Sequence, residues 1–340
     1  MLERTGAPRV KLELARALYL QKRYDESKEL FQQVLADPDL PWQVRDNVEN
    51  FIRAIEQAQG YVKFAVSFVT DSNPRSLNGQ REFTIGGVRL QFAPPADAKR
   101  VHGLRYALQG FHPLSAEHRL SGYFTGSYID YPGRSLDRLT IDMGTAKSLD
   151  AADRVSVKAG LEAGSFGDQQ LYDFPYAAAL ATLSQSAVHR LSGEVKVGRV
   201  NFPDYGYLDA TYVSSTLTGV RSGGPNTTYM LSGTLERSQA YERPYTYNGA
   251  AIAPGISWLM AQPAVQMRAE LGLSARRYAA LDPFFGERRT DNKIRVDLGA
   301  KSKQWRLFSY RPALSVGIER NRSSIEFYAY RKVNFSVGLE

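Results

Sequence analysis

The sequence predicts a mainly β protein, a fourteen-stranded antiparallel transmembrane β-barrel preceded by a small α-helical domain. Three observations carry this. Apolar residues recur at helical spacing through the first sixty positions. From Phe83 onward the apolar period becomes two and stays so to the last residue. The connections are unequal: short "SQSA" (184–187) and "MAQPA" (260–264) contrast with long, polar "SQAYERPYTYNG" (238–249) and "AALDPFFGERRTDN" (279–292). Bacterial outer-membrane barrels have short periplasmic turns and longer outer loops.

The helical part, residues 1–59, reads as helix except around "ADPDLP". Leu14, Leu18, Tyr24, Ser27, Phe31 and Leu35 predict two antiparallel helices, broken by Pro38 and Pro41. Trp42, Val44, Val48, Phe51, Ile52 and Ile55 supply the apolar face of a third. The run "LARALYLQKRYDESKELFQQVLADPD" resembles one tetratricopeptide repeat, with Ser27 where alanine is usual. Such repeats stack, because one unit cannot bury its own faces, and stacked units form concave peptide-binding surfaces. The expectation is either further repeats upstream or a unit that packs on something else.

Each strand in turn shows one apolar and one polar face. In "ADRVSVKAGLEAG", Val155, Val157, Ala159 and Leu161 oppose Arg154, Ser156, Lys158 and Glu162. In "VHRLSGEVKVG", Leu191, Val195 and Val197 oppose Arg190, Ser192, Glu194 and Lys196. Val265, Met267, Ala269, Leu271 and Leu273 oppose Gln266, Arg268, Glu270 and Ser274, and Ile294, Val296 and Leu298 oppose Arg295, Asp297 and Lys301. Segments of about ten residues fit a tilted bilayer crossing, whereas soluble strands average nearer five or six.

The predicted strands are 83–92, 101–111, 118–129, 136–147, 153–164, 174–184, 188–199, 207–219, 226–237, 250–260, 264–277, 291–302, 311–320 and 331–340. This makes 83–340 the barrel and 60–82 a junction. An even number keeps both chain ends on one side. The segment 61–69, "YVKFAVSFV", is therefore expected as extended structure on the periplasmic side, outside the barrel wall. Asp71, Ser72, Asn73 and Pro74 then form a turn at the junction before the first spanning strand.

Composition excludes several chemistries. With no cysteine there is no disulfide, thiolate metal site or cysteine nucleophile. His102, His112, His118 and His189 have no metal-ligand spacing, and no cofactor is expected. The net charge of +8 is spread without a basic block, which argues against a nucleic-acid partner. A mean hydropathy of −0.37 is compatible with a barrel, whose alternation averages out. No nucleophile–base constellation is recognisable, G-x-S-x-G is absent, and "GSFG" (164–167) is only partly similar, so no enzyme is expected. The opening "MLERTGAPRV" has no apolar core of a secretory signal, so an export signal is expected upstream.

A short helical unit, "SFVTDSNP" (67–74), a fourteen-stranded barrel and the ending "YRPALSVGIERNRSSIEFYAYRKVNFSVGLE" (310–340) together resemble the surface lipoprotein assembly modulator family, over nearly the whole chain. The resemblance implies an outer-membrane translocator of Gram-negative bacteria. Its clients would be lipoproteins or related haem- and iron-capture proteins, and its surroundings outer-membrane lipid. Insertion by the barrel assembly machinery usually reads a terminal aromatic residue. Phe335 stands five residues from the end here, so a few further residues are expected.

On this reading the helical domain lies in the periplasm and receives the client. Passage follows either the lumen or a lateral seam. Arg154, Lys158, Glu162, Arg190, Glu194, Lys196, Arg268 and Glu270 are the candidate lumen lining, either keeping the passage wet or cross-linking to plug it. Phe83 and Phe92 on the first strand and Lys332 and Phe335 on the last are the candidate seam. The alternatives are a passive porin, marked by solute conductance, and an adhesin or host-recognition barrel, marked by sensitivity to loop deletion.

Overall fold

The computed structural model describes residues 8–37, 40–78, 82–85, 88–91, 100–262, 264–307 and 310–339. Three helices come first: α1 (Pro8–Leu20), α2 (Tyr24–Leu35) and α3 (Trp42–Gln59). Their faces meet in a core of Ala15, Phe31, Val34, Val48 and Ile55, with Phe31 stacked on Phe51 at 5.1 Å. Ser27 is fully buried, and its hydroxyl donates to the Ala15 carbonyl at 2.8 Å, which satisfies a polar group where an apolar one is expected. Leu14, expected in this core, faces outward, half exposed. Pro38 lies outside the described residues.

Gly60 ends α3 at φ +99°, and β1 (Tyr61–Asp71) starts at the next residue. A Cβ at Gly60 would stand 2.8 Å from the Phe111 carbonyl and 2.9 Å from His112 Nδ1, so the helix-to-barrel corner admits only glycine.

The barrel strands are β1, then β4 (Val101–Ser115), β5 (Leu120–Asp130), β6 (Arg138–Ser148), β7 (Val155–Phe166), β8 (Gln169–Gln185) and β9 (His189–Val200). They continue with β10 (Ala210–Gly224), β11 (Thr227–Ala240), β12 (Tyr247–Met260), β13 (Val265–Leu281), β14 (Arg288–Ser302), β15 (Pro312–Ser323) and β16 (Tyr330–Leu339). Each pairs antiparallel with its neighbours, and β1 pairs with both β4 and β16, which closes the wall. The closed barrel therefore has fourteen strands among the described residues, as expected.

The identity of the first strand differs. Tyr61–Asp71 is a wall strand, not an extended segment outside it. Residues 83–92 are not a spanning strand. β2 (Glu82–Ile85) and β3 (Val88–Gln91) form a separate two-stranded sheet. The cause is local: Ile85 pairs with Val88, so the run folds back on itself as two halves too short to cross a bilayer. One strand replaced another, so the even count survived and could not reveal the exchange. The barrel accordingly begins at residue 61 rather than 83.

The exchange also moves the Asp71–Pro74 turn. β1 runs away from the helices, so this turn lies at the far end of the barrel, with the connections 131–137, 201–209, 241–246, 282–287 and 324–329. The helices share the other end with the connections 116–119, 149–154 and 186–188 and with the described residues between β12 and β13 and between β14 and β15. The helical unit is fastened there. Glu49 of α3 accepts from both Arg306 and Arg311, and Glu56 pairs with Lys63 of β1 at 2.9 Å. Nearby, Arg45 donates to the Leu35 and Asp37 carbonyls, and burial followed by the Arg306 charge hold its guanidinium below the usual value.

The outward face is apolar along the wall: Phe64 (45%), Leu161 (40%), Val195 (50%), Leu217 (52%) and Leu298 (51%) are exposed on alternating positions. A soluble barrel would pay heavily in unburied apolar surface for such a belt; lipid removes that cost. Among the described residues no helix is long and apolar enough to cross a membrane, so any crossing is made by strands.

Candidate functional site

Two regions stand out, the lumen and the border where β1 meets β16.

At the border, Val66–Asp71 pairs with Asn334–Leu339, whereas β1 pairs with β4 along its whole length, Tyr61–Asp71. The far end of this shorter border carries a clasp. The Ser72 amide donates to the Val333 carbonyl at 3.0 Å, and the Val333 amide returns a bond to Ser72 Oγ at 2.7 Å. Asn73 Nδ2 donates to the carbonyls of Leu77 (2.9 Å) and Arg331 (3.1 Å), while Asn73 Oδ1 accepts from the Leu77 amide. Asp71 accepts from the Asn73 amide at 2.9 Å and lies 4.0 Å from Arg138, which also donates to the Pro74 carbonyl. Pro74 is fully buried. The expected turn is thus present, and it also holds the first strand to the last. Beside it, burial and the Asp71 charge push the Tyr131 phenol above its usual value.

Of the four expected seam residues, Phe335 stands on the border, paired with Thr70. Lys332 lies on β16 beyond the last β1 pair and faces Glu319 at 3.9 Å. Phe83 belongs to the β2–β3 sheet, which is separate from the barrel wall, and Phe92 lies outside the described residues.

Inside, two cavities follow one another. The first, about 680 Å³, is lined by Lys63, Arg105, Asp142 and Lys301 as well as Glu162 and Tyr172. The second, about 640 Å³, lies at the far end and is lined by Tyr212, Tyr247, Arg276, Tyr278 and Arg289, again with Glu162 and Tyr172. Shared lining residues make them adjoin. Together they extend from Lys63, held by Glu56 of α3, towards the far-end loops.

The predicted lumen residues fall on this inward face or at its rim. Glu162 pairs with Lys196 at 3.3 Å, and Lys196 stands 3.8 Å from the Tyr176 ring centre. Lys158 lies over Tyr123 at 5.5 Å. Arg268 pairs with Glu270 on the same strand. Arg154 is held by Asp150 in the 149–154 turn, and Arg190 donates to Thr182 at 3.2 Å. Glu194 lines a small recess with these last two arginines. These pairs join residues of one strand, of one turn or of strands no more than two apart, so they run along the wall.

Wall glycines make room for rings. A Cβ at Gly160 would stand 2.5 Å from the Tyr123 hydroxyl and 2.9 Å from the Tyr176 ring, so the ends of both side chains fill the space a side chain there would need. Their hydroxyls bond each other at 2.7 Å, and Tyr176 donates to Asp142 at 2.9 Å.

Sequence reasoning missed Lys63, Asp142, Arg276 and Arg289 and the lumen tyrosines. A signal existed: Arg276 continues the parity of Arg268 and Glu270. The histidines stay dispersed, His102 beside Thr70 and His189 beside Ser186, and no metal-holding group of three occurs among the described residues.

A closed antiparallel barrel with an apolar outer belt and a polar, cavity-bearing interior defines a membrane β-barrel. The model of the surface lipoprotein assembly modifier family matches residues 181–340, which comprise the C-terminal end of β8 and all of β9 to β16. No curated protein matches the chain. Similar solved structures include in-vitro folded OmpT of Vibrio cholerae in its trimer form (10% identity, 83% of this chain and 98% of that one, TM-score 0.42). OpdK of Pseudomonas aeruginosa with vanillate (10%, 83% and 98%, TM-score 0.43) and OccAB3 of Acinetobacter baumannii (9%, 83% and 99%, TM-score 0.43) are further ones. The barrel reading rests on the strand pairing and not on these likenesses.

Proposed function

We propose that this chain is an outer-membrane barrel of a Gram-negative bacterium that moves lipoproteins, or related haem- and iron-capture proteins, to the cell surface. The observation that carries the reading is the family match over residues 181–340. The helix-bearing end then faces the periplasm, where the helical unit, acting as a tetratricopeptide-like receptor, takes up the client. No nucleotide-binding motif occurs in the sequence, so net movement is biased by client binding and by folding outside.

The route is the lumen. The two adjoining cavities support it, as do charge pairs that run along the wall and leave the centre to water. The clasp at Ser72 and Asn73 works against lateral opening. The test is expression in a Gram-negative host with a candidate client lipoprotein, followed by external protease on intact cells. Client digestion only when the barrel is present supports the reading. Protection of several plausible clients despite verified barrel folding favours a porin or an adhesin.

A further inference from the structure

The far-end cavity has a lining that translocation alone does not require. Every cation in it has a carboxylate of its own: Lys196 with Glu162 at 3.3 Å, Arg276 with Glu236 at 2.7 Å, and Arg289 with Asp291 at 2.7 Å. Each is also covered by a ring, Tyr176 at 3.8 Å, Tyr247 at 4.6 Å and Tyr328 at 3.6 Å respectively. The hydroxyls of Tyr172 and Tyr212 are spent on Glu162 and Glu236, so these tyrosines meet the cavity as ring surface. Tyr247 and Tyr278 pack at 5.5 Å, and Phe174 meets Tyr212 edge-on at 5.7 Å.

This is a charge-compensated aromatic chamber of ligand-site volume. An anion site would leave cationic charge uncompensated, and a catalytic site would set a nucleophile beside a base. Rigid rings with anchored hydroxyls instead offer contact area at low entropic cost and little charge selection.

We infer that the chamber is a binding site for extended polypeptide that accepts segments irrespective of their net charge. The inference deepens the translocation reading, since it names what the lumen wall does to the passing chain. Exposed rings lend each segment transient apolar and cation–π contact, while compensated charges avoid trapping acidic or basic stretches.

The test uses the full chain purified in detergent micelles. The probes are short, unstructured, fluorescein-labelled peptides of net negative, zero and net positive charge, with maltohexaose as a carbohydrate competitor. Fluorescence anisotropy should give Kd values within about threefold of one another, insensitive to maltohexaose. Tyr247→Ala with Tyr278→Ala should weaken all three by about tenfold, the equivalent of ~1.4 kcal/mol. Because the chain has no cysteine, Leu208→Cys at the chamber wall supplies one labelling position. Against the unlabelled variant as reference, a bulky maleimide should abolish binding on an intact fold.

Preference for the acidic peptide with steep salt dependence, displacement by maltohexaose, absence of binding, or binding that survives the maleimide block each overturns the inference. Peptide binding without surface delivery of any client would leave the chamber standing and remove the translocation reading. Delivery without peptide binding would do the reverse.

Discussion

Gly60 is where the helical unit turns into the barrel, and its left-handed backbone and crowded surroundings leave no room for a side chain. Gly60→Ala should cost about 1–3 kcal/mol through backbone strain and the Phe111 clash, seen as faster proteolytic release of residues 8–59 while the barrel stays intact. Asn73 makes three of the clasp's bonds. Asn73→Ala should lower the barrel's unfolding midpoint, each group left without a partner costing ~1–3 kcal/mol; an unchanged midpoint in a heat-modifiability assay would show the clasp to be idle. Asp150 accepts from the Arg154 and Val155 amides and from the Arg154 side chain. The Val155 amide first, then Arg154, hold its carboxyl below the usual range against the opposing effect of desolvation. A depressed carboxylate stabilises the fold above its unfolded value of about 3.9 and loses that contribution as pH falls through the folded one. Exchange protection of the Arg154 and Val155 amides should therefore be constant above this range and drop below it, and Asp150→Asn should abolish the pH dependence.

At the scale of elements, the border between β1 and β16 is where the proposed route is tested. Val69 and Ser336 are paired residues on it, and directly paired antiparallel positions lie within disulfide reach. Val69→Cys with Ser336→Cys, oxidised, should leave client delivery unchanged if passage is through the lumen; a block relieved by reductant would establish lateral opening. Thirteen of the fourteen wall strands could be read from alternation, because a half-buried strand in lipid must alternate. The first could not. "YVKFAVSFVTD" alternates as well as any other, with Val62, Phe64, Val66 and Phe68 on one side, but so does "EFTIGGVRLQ" on either side of its glycine pair. Choosing between them depends on which segment finds partners on both edges, and those partners lie far away in the chain, near 101–111 and 334–339.

For the whole molecule, the helical unit and the barrel are joined by Glu49 to Arg306 and Arg311 and by Glu56 to Lys63. Replacing Glu49 by lysine sets three cations together and should detach the unit without unfolding the barrel, so delivery should fall sharply while outer-membrane insertion persists. Unchanged delivery would deny the helices a part in transport. The sequence by itself determined the class: the switch of apolar period from helical to two, the even strand number and the unequal loops follow from local side-chain alternation and from the thickness of a bilayer. It also determined much of the inward face, since Glu162, Lys196, Arg268 and Glu270 share one parity on their strands. Only the tertiary structure decided which strand closes the wall, that Ser72 and Asn73 clasp the chain's two ends of the barrel, and that each far-end cation meets its own carboxylate and ring. The clasp contacts join residues up to 261 positions apart, and no local pattern encodes a partner at that distance.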